Sequence, residues 1–280
     1  MNLKNEQSEV TNTPTYGFHK AVKGVISLDI EDLFLLESFQ ISYFPGWVPE
    51  RELAAVLHSQ PVLKNFLVKK CPSISSYIER VLAEHGAATS KEDLAICSDR
   101  LVWTINDLII YNKCPEVYDS MGFHRWDFSE ITGITPLDGK VVVDGGAGTG
   151  RVALEAAQTA KWVFAVEPVT RLRQFIREKA ARLKLKNVYA IDGFLQAFPL
   201  PDRFADVVIT SHALGWRLDD ELTEFERVVK KGGFIIHCPG TDFSEREEAQ
   251  HQQLISPVYG YKYLKYREAD GWKRKYWKQL

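Results

Sequence analysis

The chain has 280 residues, of which 45% are hydrophobic and 26% are charged, a composition typical of a soluble globular protein with one large domain or two modest ones. A net charge of -2 gives no overall attraction to nucleic acid or anionic membrane, so such a partner would need a local patch. The four cysteines are widely spaced and form no C-x-x-C pair, so neither a metal site nor a disulfide framework is predicted.

Residues 1–18 are polar and lack an apolar centre, which predicts a disordered tail rather than a signal peptide. No apolar run reaches the roughly 18 residues of a membrane span. A cytoplasmic protein without a membrane partner is therefore expected.

Residues 19–130 are predicted to form a mostly α-helical domain. The predicted helices cover residues 28–39, begin near Pro49 and Pro61, cover residues 73–85, extend from Ser90 to just before Cys114-Pro115, and end with a short helix at residues 116–121. We expect this domain either to pack beside the rest of the chain for stability or to close over a substrate as a lid.

The stretch from Val141 to Glu167 begins with three β-branched residues, which suit a strand buried on both faces. Asp144 and a glycine-rich loop at residues 145–150 follow, then a helical apolar spacing and a second strand that ends at Glu167. A strand, glycine turn, helix and strand form the unit that makes a nucleotide-type site at the carboxyl edge of a parallel sheet.

The glycine spacing distinguishes between two kinds of nucleotide site. A dinucleotide fingerprint starting at Gly146 would need glycine at position 151, where Arg stands. The observed spacing is Asp144-x-Gly146-x-Gly148-x-Gly150. It resembles motif I of the class I S-adenosylmethionine (SAM) methyltransferases.

The resemblance implies SAM as the cofactor and assigns contacts to this loop and to the second strand. The loop glycines, including Gly145, would let the backbone approach the methionine part of SAM. Glu167, which is followed by Pro168, would accept hydrogen bonds from both ribose hydroxyls.

Later segments resemble the same family in the same order. Asp192-Gly193-Phe194, after a predicted strand at residues 187–191, matches the position that binds adenine. Residues 198–208 look like the family's "LPFPDxSFDVV" stretch, and residues 227–233 look like "RVLKPGG". The last predicted elements are strands at residues 205–210 and 234–238, a helix at residues 219–229 closed by Lys230-Lys231-Gly232, and a hairpin of residues 261–267 and 272–278.

These elements predict an α/β fold with a doubly wound, mostly parallel seven-stranded sheet and an antiparallel last strand. Residues 131–280 would be the SAM-binding catalytic domain. Ser211-His212 follows the fourth predicted strand. His212 could be a general base near the transferred methyl group or part of the pocket wall. Tyr118, in a Tyr-Asp pair resembling one found in the family's covering helix, could meet the methionine carboxylate or pack as an ordinary aromatic.

The predicted function is methyl transfer from SAM to an O, N, S or C nucleophile of a small molecule. The alternatives are RNA methylation and a non-catalytic SAM-binding role. RNA is considered because residues 261–280 carry seven Lys or Arg and two acids among aromatics. A lysine-rich edge hairpin is the simpler interpretation, and the [DNS]-P-P-[YFW] motif of amino-methylating enzymes is absent after the fourth strand. A nucleic-acid partner is therefore not expected, and the sequence does not predict an oligomeric state.

Overall fold

The computed structural model describes residue 22 and residues 24–238, 245–268 and 271–280. They divide into two compact units between Lys113 and Cys114. The predicted boundary, near residue 130, is later in the chain, because the segment after Cys114 packs on the sheet-bearing unit. The tail predicted at residues 1–18 lies outside the described residues, and the lid role remains a prediction.

The first unit is built from helices. Its α-helices are α1 (Ser38–Ile41), α2 (Glu50–Ser59), α3 (Pro61–Lys70), α4 (Ser75–Glu84), α5 (Lys91–Thr104) and α6 (Asn106–Lys113), with 3-10 turns at Ile30–Leu35 and Pro72–Ile74. Pro61 occupies the first turn of α3, where its missing N–H costs nothing. Ser90 caps α5 by accepting from the Asp93 amide at 3.1 Å.

Two predicted helices of this unit differ from the structure. The segment predicted as one helix at residues 28–39 is a 3-10 turn followed by the separate α1. The long helix predicted after Ser90 breaks at Ile105, between α5 and α6. There the fully buried Asn106 side chain donates to the Trp103 carbonyl at 2.6 Å, and such a bond competes with the regular helical pattern.

The second unit contains one seven-stranded sheet in the order β3-β2-β1-β4-β5-β7-β6. The strands are β1 (Val141–Gly145), β2 (Trp162–Val166), β3 (Val188–Ile191), β4 (Ala205–Ser211), β5 (Val229–Cys238), β6 (Lys262–Glu268) and β7 (Gly271–Gln279). The first five strands are parallel, whereas β7 is antiparallel to both β5 and β6. The predicted fold class is confirmed.

Helices and a 3-10 turn complete this unit. They are α7 (Pro115–Asp119), a turn at Gly122–His124, α8 (Ser129–Thr132), α9 (Arg151–Ala156), α10 (Thr170–Arg182), α11 (Leu218–Val228) and α12 (Glu245–Ile255). The strand order changes direction between β1 and β4, and open α/β sheets bind ligands at such a point.

The start of β5 differs from the prediction. Helix α11 ends at Val228, and β5 begins at Val229, so the Lys230-Lys231-Gly232 segment belongs to the strand rather than to a helix cap. Val229 pairs with Ala205, and the Gly232 amide donates to the Leu280 carbonyl at 2.7 Å. These contacts come from segments far along the chain, which the local charge pattern does not reveal.

No helix in the described parts of the chain is long and apolar enough to cross a membrane. All four cysteines lie in these parts, are buried and form no disulfide, as predicted.

His237 on β5 provides a test of the core by pH. The side chain is 1% exposed, its Nδ1 lies 2.7 Å from Thr210 Oγ1, and burial lowers its pKa to about 3. Because an unfolded histidine titrates near 6.5, the unfolded chain binds a proton that the folded chain does not between about pH 6.5 and 3. The contribution of His237 to the stability of the fold is thus fully present above pH 6.5 and is lost as the pH falls below that value.

On acidification across this window, the unfolding free energy should fall more steeply in the wild type than in H237N. The expected difference between the two slopes is up to about 1.4 kcal/mol per pH unit. Denaturant titrations at a series of pH values measure the difference. H58N, at an exposed histidine of α2, serves as control and should keep the wild-type slope. Equal slopes in the wild type and H237N would contradict the account.

Candidate functional site

The glycine loop, residues 145–150, connects β1 to α9. Gly146, Gly148 and Gly150 have φ of 67°, 53° and 83°, in the left-handed region that side chains disfavour. The amides of Gly146 and Ala147 both donate to the Val166 carbonyl, at 2.9 and 3.1 Å. The loop therefore folds back toward the end of β2 and presents bare backbone at the carboxyl edge of the sheet.

The space above the loop is narrow. A Cβ atom added at Gly146 would lie 2.5 Å from Ala213 Cβ, and one at Gly148 would lie 3.4 Å from the Tyr118 ring. The segment after β4 and the segment before the sheet thus both approach the loop; at Gly146 there is no space for a Cβ, whereas one at Gly148 would only touch the Tyr118 ring.

Two buried carboxylates hold the loop in place. Asp144 Oδ2 accepts from the Ala153 amide at 2.9 Å, which ties β1 to the first turn of α9. Glu167 Oε2 accepts from the Gly148 amide and Oε1 from the Val169 amide, both at 2.9 Å. Burial raises the pKa of Asp144 to about 8, and the charge of Glu167 adds to the rise.

Arg173 of α10 joins the ends of β2 and β3. Its Nη1 donates to the carbonyls of Glu167 and Pro168, at 2.8 and 2.7 Å, and to Asp192 Oδ1 at 2.9 Å. The Asp192 side chain remains 73% exposed. Beside it, a Cβ at Gly193 would lie 2.8 Å from both Val166 and Pro199 side chains. The third strand end therefore lies close against the second.

The Asp192-Gly193-Phe194 segment continues into a tight turn, in which the Ala197 amide donates to the Phe194 carbonyl at 3.0 Å. Gly145 has no room for a side chain either, because a Cβ there would lie 2.9 Å from both Leu195 and Phe198. The third strand end is thus packed directly against the glycine loop.

An aromatic cluster, formed by Tyr118, Phe123, His124 and His212, borders the other side of the loop. Phe123 lies between the two imidazoles, with ring centroids 4.2 Å from His124 and 5.4 Å from His212. Tyr118 meets His124 edge-on at 4.9 Å. Burial lowers the pKa of His124 to about 4, so this ring is neutral at physiological pH.

His212 follows β4 directly. Its φ of 56° is in the left-handed region, which is uncommon for a residue with a side chain. The Nδ1 atom lies 2.9 Å from Ser211 Oγ, and the backbone amide donates to the Cys238 carbonyl at 3.4 Å. Strained backbone of this kind is concentrated at functional sites.

The structure brings many of the predicted site residues to one cleft. The predicted residues that line it are Tyr118, Asp144, Gly146, Gly148, Ser211 and His212. Glu167 is joined to the cleft by its bond to Gly148. Gly145 and Gly150 adjoin it in the loop, whereas the predicted residues Pro168, Asp192, Gly193 and Phe194 are not among the described residues that line it.

Sequence reasoning missed Phe123, His124 and Arg151 as cleft residues, and it missed Arg173 as the link between strand ends. The aromatic run at residues 123–128 was one available signal. Arg151, standing where a dinucleotide site would have glycine, was another.

The residues present fit an adenosyl cofactor. The bare backbone of the glycine loop could hold an amino-acid tail, and Glu167 lies next to it with a carboxylate at the end of β2. Asp192, at the end of β3, is exposed and could meet a base edge. The three groups follow one another along the same sheet edge, in the order that the methionine, ribose and adenine parts of SAM require.

Comparison with known proteins agrees with this geometry. A sequence profile described as a methyltransferase domain matches residues 143–237. An uncharacterized methyltransferase of Geobacillus sp. (strain WCH70) is 28% identical over 178 residues, covering 61% of this chain and 78% of that protein. A malonyl-[acyl-carrier protein] O-methyltransferase of Yersinia pestis is 29% identical over 119 residues, covering 42% of this chain and 43% of that protein.

The fold has a counterpart among solved structures. A SAM dependent methyltransferase from Aquifex aeolicus superposes with a TM-score of 0.52 at 17% identity, over 61% of this chain and 98% of its own. At this identity the likeness shows the fold alone.

The profile extends from within β1 to within β5, the part of the sheet that carries the glycine loop, Glu167 and His212. With the related sequences and the shared fold, it defines a class I, Rossmann-like SAM-dependent methyltransferase. The protein is therefore an enzyme that uses SAM as its methyl donor.

Gly146 and Gly139 form a matched pair for testing the loop. Both have φ of 67°, but Gly139 has no atom within 4 Å of an added Cβ, whereas Gly146 faces Ala213 at 2.5 Å. G139A should cost roughly 1–2 kcal/mol of backbone strain and leave cofactor binding unchanged. G146A should lose about 1–3 kcal/mol more, because Ala213 must move, and should also weaken binding of S-adenosylhomocysteine.

Denaturant titration and calorimetric titration of S-adenosylhomocysteine measure the two effects. Equal stability and equal affinity in G139A and G146A would show that the close approach of Ala213 to the loop affects neither folding stability nor cofactor binding.

Proposed function

We propose that this enzyme methylates an O, N, S or C nucleophile of a small molecule in the cleft between the glycine loop and the aromatic cluster. The observation that carries the proposal is His212, a strained histidine that lines this cleft beside Ser211. A titratable group held in an unfavourable backbone conformation next to the donor site is expected where chemistry occurs.

In this proposal the glycine loop holds the methionine part of SAM, Glu167 holds the ribose, and Asp192 with the backbone of Gly193 and Phe194 holds the adenine. The sulfonium of bound SAM supplies an electrophilic methyl group. The protein keeps the acceptor in line with the carbon–sulfur bond and excludes water, and such positioning can lower a barrier by about 7–11 kcal/mol. As the new bond to the methyl carbon forms, the carbon–sulfur bond breaks and S-adenosylhomocysteine remains.

His212 acts as the general base where the nucleophile carries a proton. Its contact with Ser211 Oγ through Nδ1 orients the ring, so the acceptor proton would go to Nε2. Tyr118, whose ring lies against Gly148, borders the donor and positions it rather than taking part in proton transfer.

Contacts within the C-terminal hairpin favour a small-molecule acceptor over an RNA acceptor. Its lysines contact its own aromatic rings, with Lys265 over Trp272 at 5.1 Å and Lys275 over Tyr266 at 5.7 Å. Lys275 is also 7% exposed and bonded to Glu130 at 2.6 Å, while Lys273 is 2% exposed. These cations and rings are engaged with each other, which favours a structural edge hairpin over a surface that stacks bases.

The relative from Yersinia pestis suggests which acceptor chemistry to test first. Its name describes O-methylation of a malonyl group on an acyl carrier protein. We therefore propose oxygen nucleophiles, and carboxylates on short acyl groups in particular, as the first class to assay. A carboxylate is already ionised at neutral pH, so for this class His212 would position the acceptor rather than remove a proton.

The acceptor class can be tested with SAM labelled in its methyl group. The purified enzyme is incubated in parallel with an ultrafiltered metabolite extract, a set of short-chain dicarboxylic acids and their thioesters, and total RNA. Label should enter low-mass products, which mass spectrometry can identify. Incorporation confined to the RNA arm would overturn the small-molecule proposal and favour the RNA alternative.

His212→Ala should lower turnover by about 10²–10⁴-fold if the acceptor must lose a proton, because general-base catalysis contributes this much. The affinity for S-adenosylhomocysteine should change little. Calorimetry and steady-state kinetics at several pH values measure the two effects, with H58N, at an exposed histidine outside the cleft, as the control. A rate that keeps the wild-type value and pH profile in H212A would remove His212 from proton transfer.

A further inference from the structure

Two buried polar atoms that lack a hydrogen-bond partner among the described residues belong to side chains lining the cleft. They are His124 Nε2 and Arg151 Nη1. Buried polar atoms are almost always paired, so unpaired ones that meet in one cleft suggest a ligand that pairs with them. None of the roles proposed above uses either side chain.

His124 offers an acceptor to the cleft. Its ring forms a hydrogen bond with the backbone of Tyr118, which as a carbonyl acceptor requires an N–H on the ring. Because Nε2 has no partner, this N–H belongs to Nδ1, and Nε2 carries a lone pair. Burial lowers the pKa of this ring most, Asp119 raises it, and the positive charges of Lys179 and Arg151 lower it further, so the ring stays neutral.

Arg151 offers a donor in a fixed orientation. Nε donates to the His124 carbonyl at 2.9 Å and Nη2 donates to the Trp126 carbonyl at 2.7 Å. Nη1 lies 3.2 Å from Glu155 Oε1 without hydrogen-bond geometry, and the Glu155 side chain is 50% exposed. That ion pair is solvated and weak, so a carboxylate in the cleft can take its place.

A neutral acceptor and a cationic donor on one wall are complementary to an α-amino acid. We propose that His124 Nε2 accepts from the ammonium group of the methionine part of SAM, while Arg151 Nη1 donates to its carboxylate. Both would be positioning residues, since neither touches the reacting methyl group. The inference rests on the proposed placement of the methionine part on the glycine loop, and it does not depend on which acceptor is methylated.

This arrangement makes the enzyme selective for nucleosides that carry the amino-acid tail. It also explains why Arg151 is tied to the carbonyls of residues 124 and 126. The same guanidinium fixes the segment that carries His124, so donor and acceptor keep a constant separation.

Two ligands that differ only in the tail test the proposal. S-adenosylhomocysteine carries the amino-acid group, whereas 5′-methylthioadenosine has the same adenine, ribose and thioether without it. H124L removes the acceptor, and H124Q restores a carbonyl oxygen near the position of Nε2. R151M removes the donor, and D192N, at the proposed adenine contact, is the control that should weaken both ligands alike.

Calorimetric titration should show that H124L and R151M each bind S-adenosylhomocysteine about tenfold or more weakly, because each loses a hydrogen bond to a charged group. Their affinity for 5′-methylthioadenosine should stay within about twofold of the wild type, and H124Q should recover most of the loss. Equal weakening of both ligands, or unchanged affinity for S-adenosylhomocysteine, would overturn the proposal.

The wild-type protein provides a second readout that needs no variant to fold. With ¹⁵N-labelled histidine, S-adenosylhomocysteine should shift the His124 Nε2 resonance strongly and 5′-methylthioadenosine should not. Equal shifts with both ligands would argue against the proposal. If the labelled methyl group entered RNA instead of small molecules, the acceptor proposal would fail while these binding results stood.

Discussion

The hydrogen bond from the Gly148 amide to Glu167 is the interaction on which the site depends. It joins the loop after β1 to the end of β2, while Asp144 joins β1 to the start of α9. Both acceptors are buried, so losing either carboxylate would leave a backbone amide without its partner, in the buried first turn of α9 or in the partly buried glycine loop, at a cost of about 1–3 kcal/mol. The left-handed turns at the loop glycines are held by these two bonds together with those from the Gly146 and Ala147 amides to the Val166 carbonyl.

Electrostatics at this edge follow from burial. With its pKa raised to about 8, Asp144 holds a proton much of the time at neutral pH, so it acts as a hydrogen-bonding anchor more than as a charge. Arg173 supplies the opposite charge further along the edge, where it contacts Asp192 and the carbonyl of Glu167. Glu167, whose charge helps to raise that pKa, leaves negative charge beside the loop, which suits a cofactor that brings its own positive charge.

The parts predicted well from sequence are those encoded locally. The β1 strand, the glycine turn and Glu167 lie within one continuous stretch, so periodicity and residue type suffice. The contacts missed by sequence join distant segments, as in the bond from Arg151 to the carbonyl of His124, 27 residues earlier. Likewise, the break before Asn106 depends on a buried side chain that turns back to its own helix, and the early start of β5 depends on a pairing partner at Ala205. Tertiary packing determines where these helices and strands begin and end, and it overrides the local propensity of the sequence.

The strained backbone at His212 is maintained by contacts on both sides of it. Before the turn, β4 is fixed by its neighbours β1 and β5, and the His212 amide meets the Cys238 carbonyl. After it, the buried Glu221 accepts from the amides of Gly215 and Arg217, at 2.7 and 2.9 Å. A turn that could relax freely would not keep a histidine at positive φ, because that conformation costs about 1–3 kcal/mol. The surrounding structure therefore imposes the position of this imidazole in the cleft beside the glycine loop.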